Sequence, residues 1–258
     1  MTPRCKHFHR TCLRHFSLIV ALLMSAPLSQ AEEVLAAVAS NFTAPMKEIA
    51  RRFEDTSGHK LTVSLGSSGK LFAQIRHGAP FDVFLSADQE KPQKLIAAGA
   101  AQADSQFTYA LGRLALWSAQ TDVDPLQMLK AGDYRRLALA NPRLAPYGEA
   151  AKRTLEHLNV ANAARPKLVT GENINQTWQF VSTGNAQLGF VALSQIMPNG
   201  ELSNGSAWVI PADHHQPVKQ DAVLLSRSTS NPAAVALLAF LRSEEAAAII
   251  KRYGYDMP

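Results

Sequence analysis

Cysteine is scarce in this sequence, and both cysteines lie near its start. The 258 residues include only Cys5 and Cys12. Acidic residues are also absent from this start, because the first one is Glu32. The chain from Glu32 onward is therefore expected to have no disulfide, no thiol nucleophile and no thiolate metal ligand.

The segment before Glu32 has the features of a secretory signal. Its basic part ends at Arg14, an apolar run covers residues 16–24, and a small-x-small cleavage site occupies residues 29–31. The apolar run is too short to span a bilayer. We therefore predict a signal peptide over residues 1–31, and an exported mature chain with no segment inserted in a membrane.

The net charge of the mature chain is low. Of the 26 Lys and Arg residues, four lie in the signal segment. The mature chain therefore has 22 basic and 21 acidic residues, which gives a net charge of +1. A nucleic-acid-binding surface needs a clear excess of basic residues. The composition therefore argues against a nucleic-acid partner.

The rest of the chain contains four units in which a short apolar strand passes through a polar or proline-rich turn into a helix. The first two strands cover residues 33–39 and 61–65, and the later two include residues 137–140 and 168–169. The dipeptides at the four helix starts are Ser40-Asn41, Ser67-Ser68, Tyr147-Gly148 and Asn173-Ile174. Such alternation of strand and helix is typical of an α/β fold with mainly parallel sheets.

Two crossings divide the predicted fold into two lobes. A long apolar stretch over residues 107–117, interrupted by Gly112, is predicted to leave the first lobe and enter the second. The chain is predicted to return near residues 213–220. Lobe 1 then comprises residues 32–112 with 213–258, and lobe 2 comprises residues 113–212. We expect a ligand in the cleft between the lobes, where strand ends and helix starts meet.

The helix starts indicate an anion as the ligand. The first N–H groups of a helix have no intrahelical acceptor and lie at the positive end of the helix dipole. Lys70 is the only cation close to any of the four starts, and we expect it to point to solvent. A serine at such a position is also an ordinary helix cap. The fourfold repetition favours binding by neutral hydroxyl and N–H donors.

Seven strings between residues 37 and 255 extend this interpretation. They are AVASNF (37–42), GSSGKL (66–71), GAPFDVFLSADQ (78–89), NPRLAPYG (141–148), GENINQ (171–176), LGFVALSQ (188–195) and AAIIKRYGY (247–255). On these strings the sequence closely resembles the ModA family, the periplasmic molybdate-binding proteins of ABC importers, and the resemblance runs nearly continuously from about residue 33 to 257.

The resemblance implies a two-lobed periplasmic binding protein of type II-like architecture. It implies capture of molybdate, and also of tungstate, for the membrane permease of an ABC importer. It further implies a monomer with no enzymatic activity and no cofactor.

Ligand contacts carry over position by position. Ser40 and Ser68 would donate hydroxyl hydrogen bonds, and backbone N–H groups would come from Ser40 or Asn41 and from Ser68, Tyr147 and Ile174. These are contacts to molybdate oxygens and not direct ligands of a metal ion. Some members have a tyrosine where this sequence has Ala192, and Asn41, beside Ser40, is the candidate for the missing donor, as in another branch of the family.

Other interpretations remain open at this point. The same fold and donors suit another tetrahedral anion such as sulfate, because the sequence does not reveal the pocket radius. A secreted serine hydrolase would use Ser68 as nucleophile and would need His59 or His77 beside it. His214-His215 is a candidate metal pair, for which a solvated loop is the simpler interpretation.

Overall fold

The computed structural model describes residues 31–258. The predicted signal peptide, apart from Ala31, lies outside the described residues. Within residues 31–258, no helix combines the length and the apolar composition that crossing a membrane requires.

The described residues contain ten strands and nine α-helices. The strands are, in chain order, β1 Glu33–Ala39, β2 Lys60–Gly66, β3 Val83–Leu85, β4 Phe107–Gly112, β5 Leu114–Ser118, β6 Leu137–Ala140, β7 Leu168–Gly171, β8 Leu188–Ala192, β9 Ser206–Val209 and β10 Val218–Leu224. The helices are α1 Thr43–Ser57, α2 Ser68–Arg76, α3 Glu90–Ala97, α4 Pro125–Ala131, α5 Pro146–His157, α6 Ala161–Ala164, α7 Ile174–Ser182, α8 Pro232–Leu241 and α9 Glu244–Arg252.

The strands form two five-stranded sheets. The first has the order β2-β1-β3-β10-β4, and the second has the order β7-β6-β8-β5-β9. Strand β1 is almost wholly buried, as its unbroken apolar run suggests for a strand covered on both faces. The predicted two-lobed α/β class is thereby confirmed. We call the part of the chain around the first sheet lobe 1 and the part around the second sheet lobe 2.

Each sheet is mixed, whereas the sequence predicts mainly parallel sheets. Strand β1 pairs in parallel with β2 and β3, but β10 pairs antiparallel with β3 and β4. In lobe 2, β6 pairs in parallel with β7 and β8, but β5 pairs antiparallel with β8 and β9. The reason is the two crossings: β5 and β10 each enter their sheet from the other lobe, and therefore run opposite to the strands that end at the cleft.

The chain passes between the two sheets at two places. Only Arg113 separates β4, in the first sheet, from β5, in the second. The chain returns between Val209 and Val218. We propose lobe bounds of 32–112 with 213–258 for lobe 1 and 113–212 for lobe 2, because each sheet draws its strands from one of these sets.

Candidate anion-binding site

The five residues that the sequence predicts at the site line one small cavity between the lobes. Ser40, Asn41 and Ser68 belong to lobe 1, and Tyr147 and Ile174 belong to lobe 2. The remaining lining residues are Ala39, Gly66, Ser67, Ala87, Ala145 and Pro146. The ends of strands from both sheets and the starts of helices from both lobes therefore meet at one point.

Two serines form the polar part of the lobe 1 wall. Ser40 begins a short 3-10 turn that leads into α1, and Ser68 is the first residue of α2, whose N-cap is Ser67. The Oγ atom of Ser68 accepts a hydrogen bond from the backbone N–H of Ala87, at 2.9 Å. A serine hydroxyl has one proton and two lone pairs. The proton of Ser68 therefore remains available to a guest in the cavity.

The lobe 2 wall presents backbone N–H groups at two helix starts. Tyr147 follows Pro146, the first residue of α5, and Ile174 is the first residue of α7. The Asn173 side chain accepts from the N–H groups of Asn175 and Gln176, at 3.0 and 3.1 Å. This cap satisfies the next two N–H groups of the helix and leaves that of Ile174 for a ligand.

The cavity is electrically neutral apart from these dipoles. None of the eleven residues that line it, all within the described part of the chain, is Lys, Arg, His, Asp or Glu. The positive ends of the helix dipoles and the hydroxyl and N–H donors are the features that would attract an anion. That these residues contact a ligand stays a prediction.

Polar contacts across the cleft join the lobes near the cavity. The backbone N–H of Gly69 donates to the Leu144 carbonyl, at 2.8 Å. A Cβ atom on Gly69 would lie 2.9 Å from that carbonyl oxygen, so the close approach requires glycine. Asn175 Nδ2 donates to Thr43 Oγ1 at 2.9 Å, and Lys70 Nζ lies 2.6 Å from a Glu172 carboxylate oxygen. The structure therefore shows the lobes in contact across the cleft.

Lys70 is half exposed, as a side chain directed towards solvent would be, but it is not free. Its ammonium group pairs with Glu172 of the other lobe and does not line the cavity. Because both partners are about half exposed, the pair contributes little free energy.

The side-chain amide of Asn41 donates to groups behind the cavity wall. Its Nδ2 donates to Gln220 Oε1 at 2.6 Å and to the Tyr255 hydroxyl at 3.0 Å. An amide nitrogen has two hydrogens, and these two contacts use both. The backbone N–H of Asn41 is therefore the donor that this residue can offer. Ala192, where some members of the resembling family have a tyrosine, is fully buried at the end of β8.

A buried polar network lies behind the cavity wall and includes residues that the sequence analysis did not single out. Its members are Asn41, Tyr109, Tyr147, Ser194, Gln220 and Tyr255, all buried. Ser194 Oγ donates to the Asn41 carbonyl at 2.9 Å, and Tyr109 OH donates to Gln220 Oε1 at 3.2 Å. Ser194 and Tyr255 lie within two of the seven strings quoted above, but nothing in the sequence indicates that they meet Asn41.

Burial keeps the phenols of this network protonated. It raises the pKa of Tyr109 and of Tyr147 well above the ordinary value and the pKa of Tyr255 to about 12. For Tyr109 and Tyr147, the neighbouring Tyr255 adds a smaller contribution in the same direction. At neutral pH the network therefore adds no negative charge behind the cavity.

A larger cleft of about 710 Å³ adjoins the cavity and shares Ala87, Ala145 and Pro146 with it. Four cations and three carboxylates line this cleft: Lys91, Arg143, Arg153, Lys219, Asp88, Glu90 and Glu149. Asp88 pairs with Lys91, and Glu149 with Arg153. Among the described residues, Arg143 and Lys219 have no carboxylate partner. The cleft therefore has a small excess of positive charge, which favours the approach of anions.

The geometry around Ser68 does not support a hydrolase. His77 follows the last residue of α2, and a nine-residue helix separates it from Ser68 by about 13 Å. The Nδ1 atom of His59 lies 3.2 Å from the backbone nitrogen of Glu32, at the opposite end of β2 from the cavity. Neither histidine can take the Ser68 proton.

The histidine pair His214-His215 is not part of a metal cluster. The His214 ring stacks on that of His157, with 4.0 Å between centroids. Desolvation by burial, together with the neighbouring His157, lowers the pKa of His214. The described residues contain no group of three or more His, Cys, Asp or Glu side chains that could hold a metal ion.

Comparisons with known proteins agree with this architecture. A family model described as bacterial extracellular solute-binding protein matches residues 34–256. The molybdate-binding protein ModA of Azotobacter vinelandii is 49% identical over 93% of this chain and 97% of that protein. ModA of Rhodobacter capsulatus is 46% identical over 94% of this chain and 96% of that protein.

Solved structures of binding proteins have a similar fold. The periplasmic molybdate-binding protein of Azotobacter vinelandii superposes with a TM-score of 0.84 at 36% identity, over 87% of this chain and 99% of that one. The sulfate-binding protein SubI of Mycobacterium tuberculosis has a TM-score of 0.70 at 12% identity, over 88% and 87% of the two chains. The second likeness concerns the fold alone.

Proposed function

The chain belongs to the family of bacterial extracellular solute-binding proteins, and from this premise we propose that it captures molybdate between its lobes and delivers it to the permease of an ABC importer. One observation carries the proposal: Ser40, Asn41, Ser68, Tyr147 and Ile174 line one uncharged cavity between the lobes. The two relatives described above are both named molybdate-binding proteins, and this name is the reason for proposing molybdate as the anion.

The donors at the cavity are enough for a dianion. The hydroxyls of Ser40 and Ser68 and the N–H groups at the four helix starts amount to about six hydrogen bonds, each worth roughly 1.5–3 kcal/mol to a charged acceptor. Desolvation of the anion and the loss of freedom on association oppose this gain. A net binding free energy of about −8 to −11 kcal/mol follows, which corresponds to micromolar to tens-of-nanomolar affinity.

The chemistry of the wall also selects the protonation state. The proposed contacts are all donors, so a fully deprotonated tetrahedral oxyanion can accept from every one. Hydrogen phosphate carries a proton that needs an acceptor, and without one that proton loses its hydrogen bond on burial. We therefore expect the cavity to discriminate against phosphate.

Calorimetric titration of the purified protein with molybdate, tungstate, sulfate and phosphate tests the proposal. We expect micromolar or tighter binding of molybdate and tungstate and much weaker binding of phosphate. Absence of heat with molybdate at micromolar protein concentrations would contradict the proposal. Tighter binding of sulfate than of molybdate would instead identify a sulfate-binding protein of the same architecture.

We further propose that the protein works as a monomer in the periplasm, as a binding protein and not an enzyme. The predicted signal peptide over residues 1–31 and the name of the Azotobacter vinelandii structure support this location. Cell fractionation, with mass spectrometry of the secreted chain, tests it. We expect the mature chain to begin at Glu32 and to be found in the periplasmic fraction.

A further inference from the structure

Gln220 touches both walls of the proposed anion cavity from behind. This fully buried residue of β10 accepts from Asn41 Nδ2 at 2.6 Å and donates from Nε2 to the Tyr147 hydroxyl at 3.4 Å. Asn41 lines the cavity from lobe 1, and Tyr147 lines it from lobe 2. We infer that Gln220 sets the separation of the two walls and thereby determines the size of tetrahedral oxyanion that the cavity accepts. The inference rests on the proposed function, because it assigns a specificity to the same cavity.

The orientation of the Gln220 amide is fixed by its neighbours. Its Oε1 atom receives two donors, Asn41 Nδ2 and the Tyr109 hydroxyl, which lies 3.2 Å away. With these two donors at Oε1, the carbonyl end of Gln220 faces Asn41 and the N–H end faces Tyr147. A single uncharged side chain therefore offers an acceptor to one wall and a donor to the other.

Gln220 forms a hydrogen-bonded bridge between Asn41 and Tyr147. At one end of this bridge, several further hydrogen bonds hold Asn41 in position. Its carbonyl accepts from Ser194 Oγ at 2.9 Å and from the Tyr255 hydroxyl at 2.8 Å. Its side-chain nitrogen also donates to Tyr255, at 3.0 Å. A shift of Asn41 would strain all these buried contacts, so the backbone N–H at this position is kept in place.

At the other end of the bridge, Tyr147 is held by packing as well as by the 3.4 Å hydrogen bond from Gln220. A Cβ atom on Gly112 would lie 2.2 Å from the Tyr147 hydroxyl and 2.8 Å from Gln220 Nε2. The backbone of the first crossing between the lobes is thus packed directly against this contact. Tyr147 has no room to move towards Gly112, and the wall that carries its N–H group stays at a set distance from Asn41.

The chemistry excludes the obvious substitutes for Gln220. A glutamate would place a negative charge behind a site for a dianion, and an apolar side chain would leave a hydrogen of Asn41 buried without an acceptor. With the bridge removed, the walls can relax around anions of different size. The ratio of the sulfate Kd to the molybdate Kd should then fall.

The test compares Gln220→Met with wild type and with the control Thr154→Val. Methionine keeps the approximate length of glutamine but forms neither contact. Thr154 is fully buried in α5 and donates only to the Ala150 carbonyl, at 2.9 Å, so its loss removes a buried hydrogen bond outside the network. For each protein, the Kd of molybdate is measured by calorimetry, the Kd of sulfate by competition, and the Tm without ligand.

We expect Gln220→Met to lower the ratio of the two Kd values by about tenfold, while Thr154→Val keeps the wild-type ratio despite its lower Tm. A parallel rise of both Kd values, with the ratio unchanged, would show a merely structural role and would overturn the inference.

If Gln220→Met does not fold, the same Kd ratio is measured for Tyr147→Phe. This variant removes the hydroxyl that accepts from Gln220 but keeps the backbone N–H. An unchanged ratio in this variant also overturns the inference. A wild-type protein that binds neither anion contradicts the proposed function itself. Wild-type discrimination that survives in both variants contradicts only the role of Gln220.

Discussion

At the scale of single residues, the proposed site depends on the Ser68 hydroxyl, whose oxygen already accepts one hydrogen bond. Ser68 receives the Ala87 N–H on one lone pair, which orients the oxygen and directs its proton elsewhere. Its side chain is buried and lines the cavity. The Ser68 hydroxyl can therefore donate this proton to a ligand that carries hydrogen-bond acceptors.

We predict that Ser68→Ala weakens molybdate binding by roughly 1–3 kcal/mol, because one hydrogen bond to a charged acceptor is lost. Calorimetric titration measures the change. Ser118→Ala is the matched control: Ser118 is a fully buried serine at the end of β5 that does not line the cavity. Equal affinities of Ser68→Ala and wild type would argue against hydroxyl donation.

Lys70→Ala should change the affinity by less than about 1 kcal/mol, because its partner Glu172 is about as exposed as Lys70 itself. Titrations at low and high salt test this, and the small effect should vanish at high salt. A loss as large as that of Ser68→Ala would mean that charge pairing, and not neutral donation, holds the ligand.

At the scale of elements, the caps decide which N–H groups remain for a ligand. The Asn173 side chain occupies the second and third N–H groups of α7 and leaves the first, that of Ile174, at the cavity. The same cap occurs on α8, where Asn231 accepts from Ala233 and Ala234. That second helix is remote from the cavity.

The two caps provide a matched pair of variants. Asn173→Ala and Asn231→Ala should each lower the free energy of unfolding by about 1 kcal/mol. Only Asn173→Ala should also weaken molybdate binding, because it loosens the turn that positions the Ile174 N–H. Denaturant unfolding and titration separate the two effects. Equal affinities of the two variants would show that the α7 start does not contribute to binding.

At the scale of the whole molecule, a backbone contact joins the two lobes across the cleft. The N–H of Gly69 meets the Leu144 carbonyl at 2.8 Å, and a side chain on Gly69 would occupy the space that this contact uses. We therefore expect the closed arrangement to be sensitive to a single methyl group.

Gly69→Ala should raise the molybdate Kd and reduce the ligand-induced decrease in the radius of gyration measured by small-angle X-ray scattering. Gly184→Ala is the control, since its added Cβ would meet nothing within 4 Å, although its positive φ costs stability. A wild-type degree of compaction in Gly69→Ala would contradict a role of this contact in closure.

The buried phenols predict a loss of stability at alkaline pH. Because folding raises the pKa of Tyr255 to about 12, from about 10 in the unfolded chain, the folded state holds this proton more tightly. Its contribution is complete below pH ~10 and is lost as the pH rises towards about 12. Denaturant unfolding between pH 8 and 11 should show the decline.

Tyr255→Phe should flatten this dependence without abolishing it, because burial also raises the pKa of Tyr109 and Tyr147. The control is the wild-type curve in the same buffers. A free energy of unfolding that stays constant up to pH 11 would mean that the phenols are not buried as the structure shows.

The sequence by itself determined the local elements of this protein and the points where they meet. Apolar runs such as residues 34–39 and the polar or proline-containing turns after them are sufficient to place strand, turn and helix, because each depends on neighbours along the chain. The ends of such strands converge at one edge of a parallel arrangement, so Ser40, Ser68, Tyr147 and Ile174 could be assigned to one cleft in advance.

Only the tertiary structure decided what lies behind these residues. Asn41 and Gln220 are separated by 179 positions in the chain, yet their side chains meet at 2.6 Å, and this contact directs the Asn41 amide nitrogen to a partner behind the cavity wall. The antiparallel entry of β5 and β10 likewise follows from the direction of the crossings and not from any residue in these strands. The physical reason is common to both cases: a propensity acts over a few residues, whereas a buried hydrogen bond depends on groups that folding alone brings together.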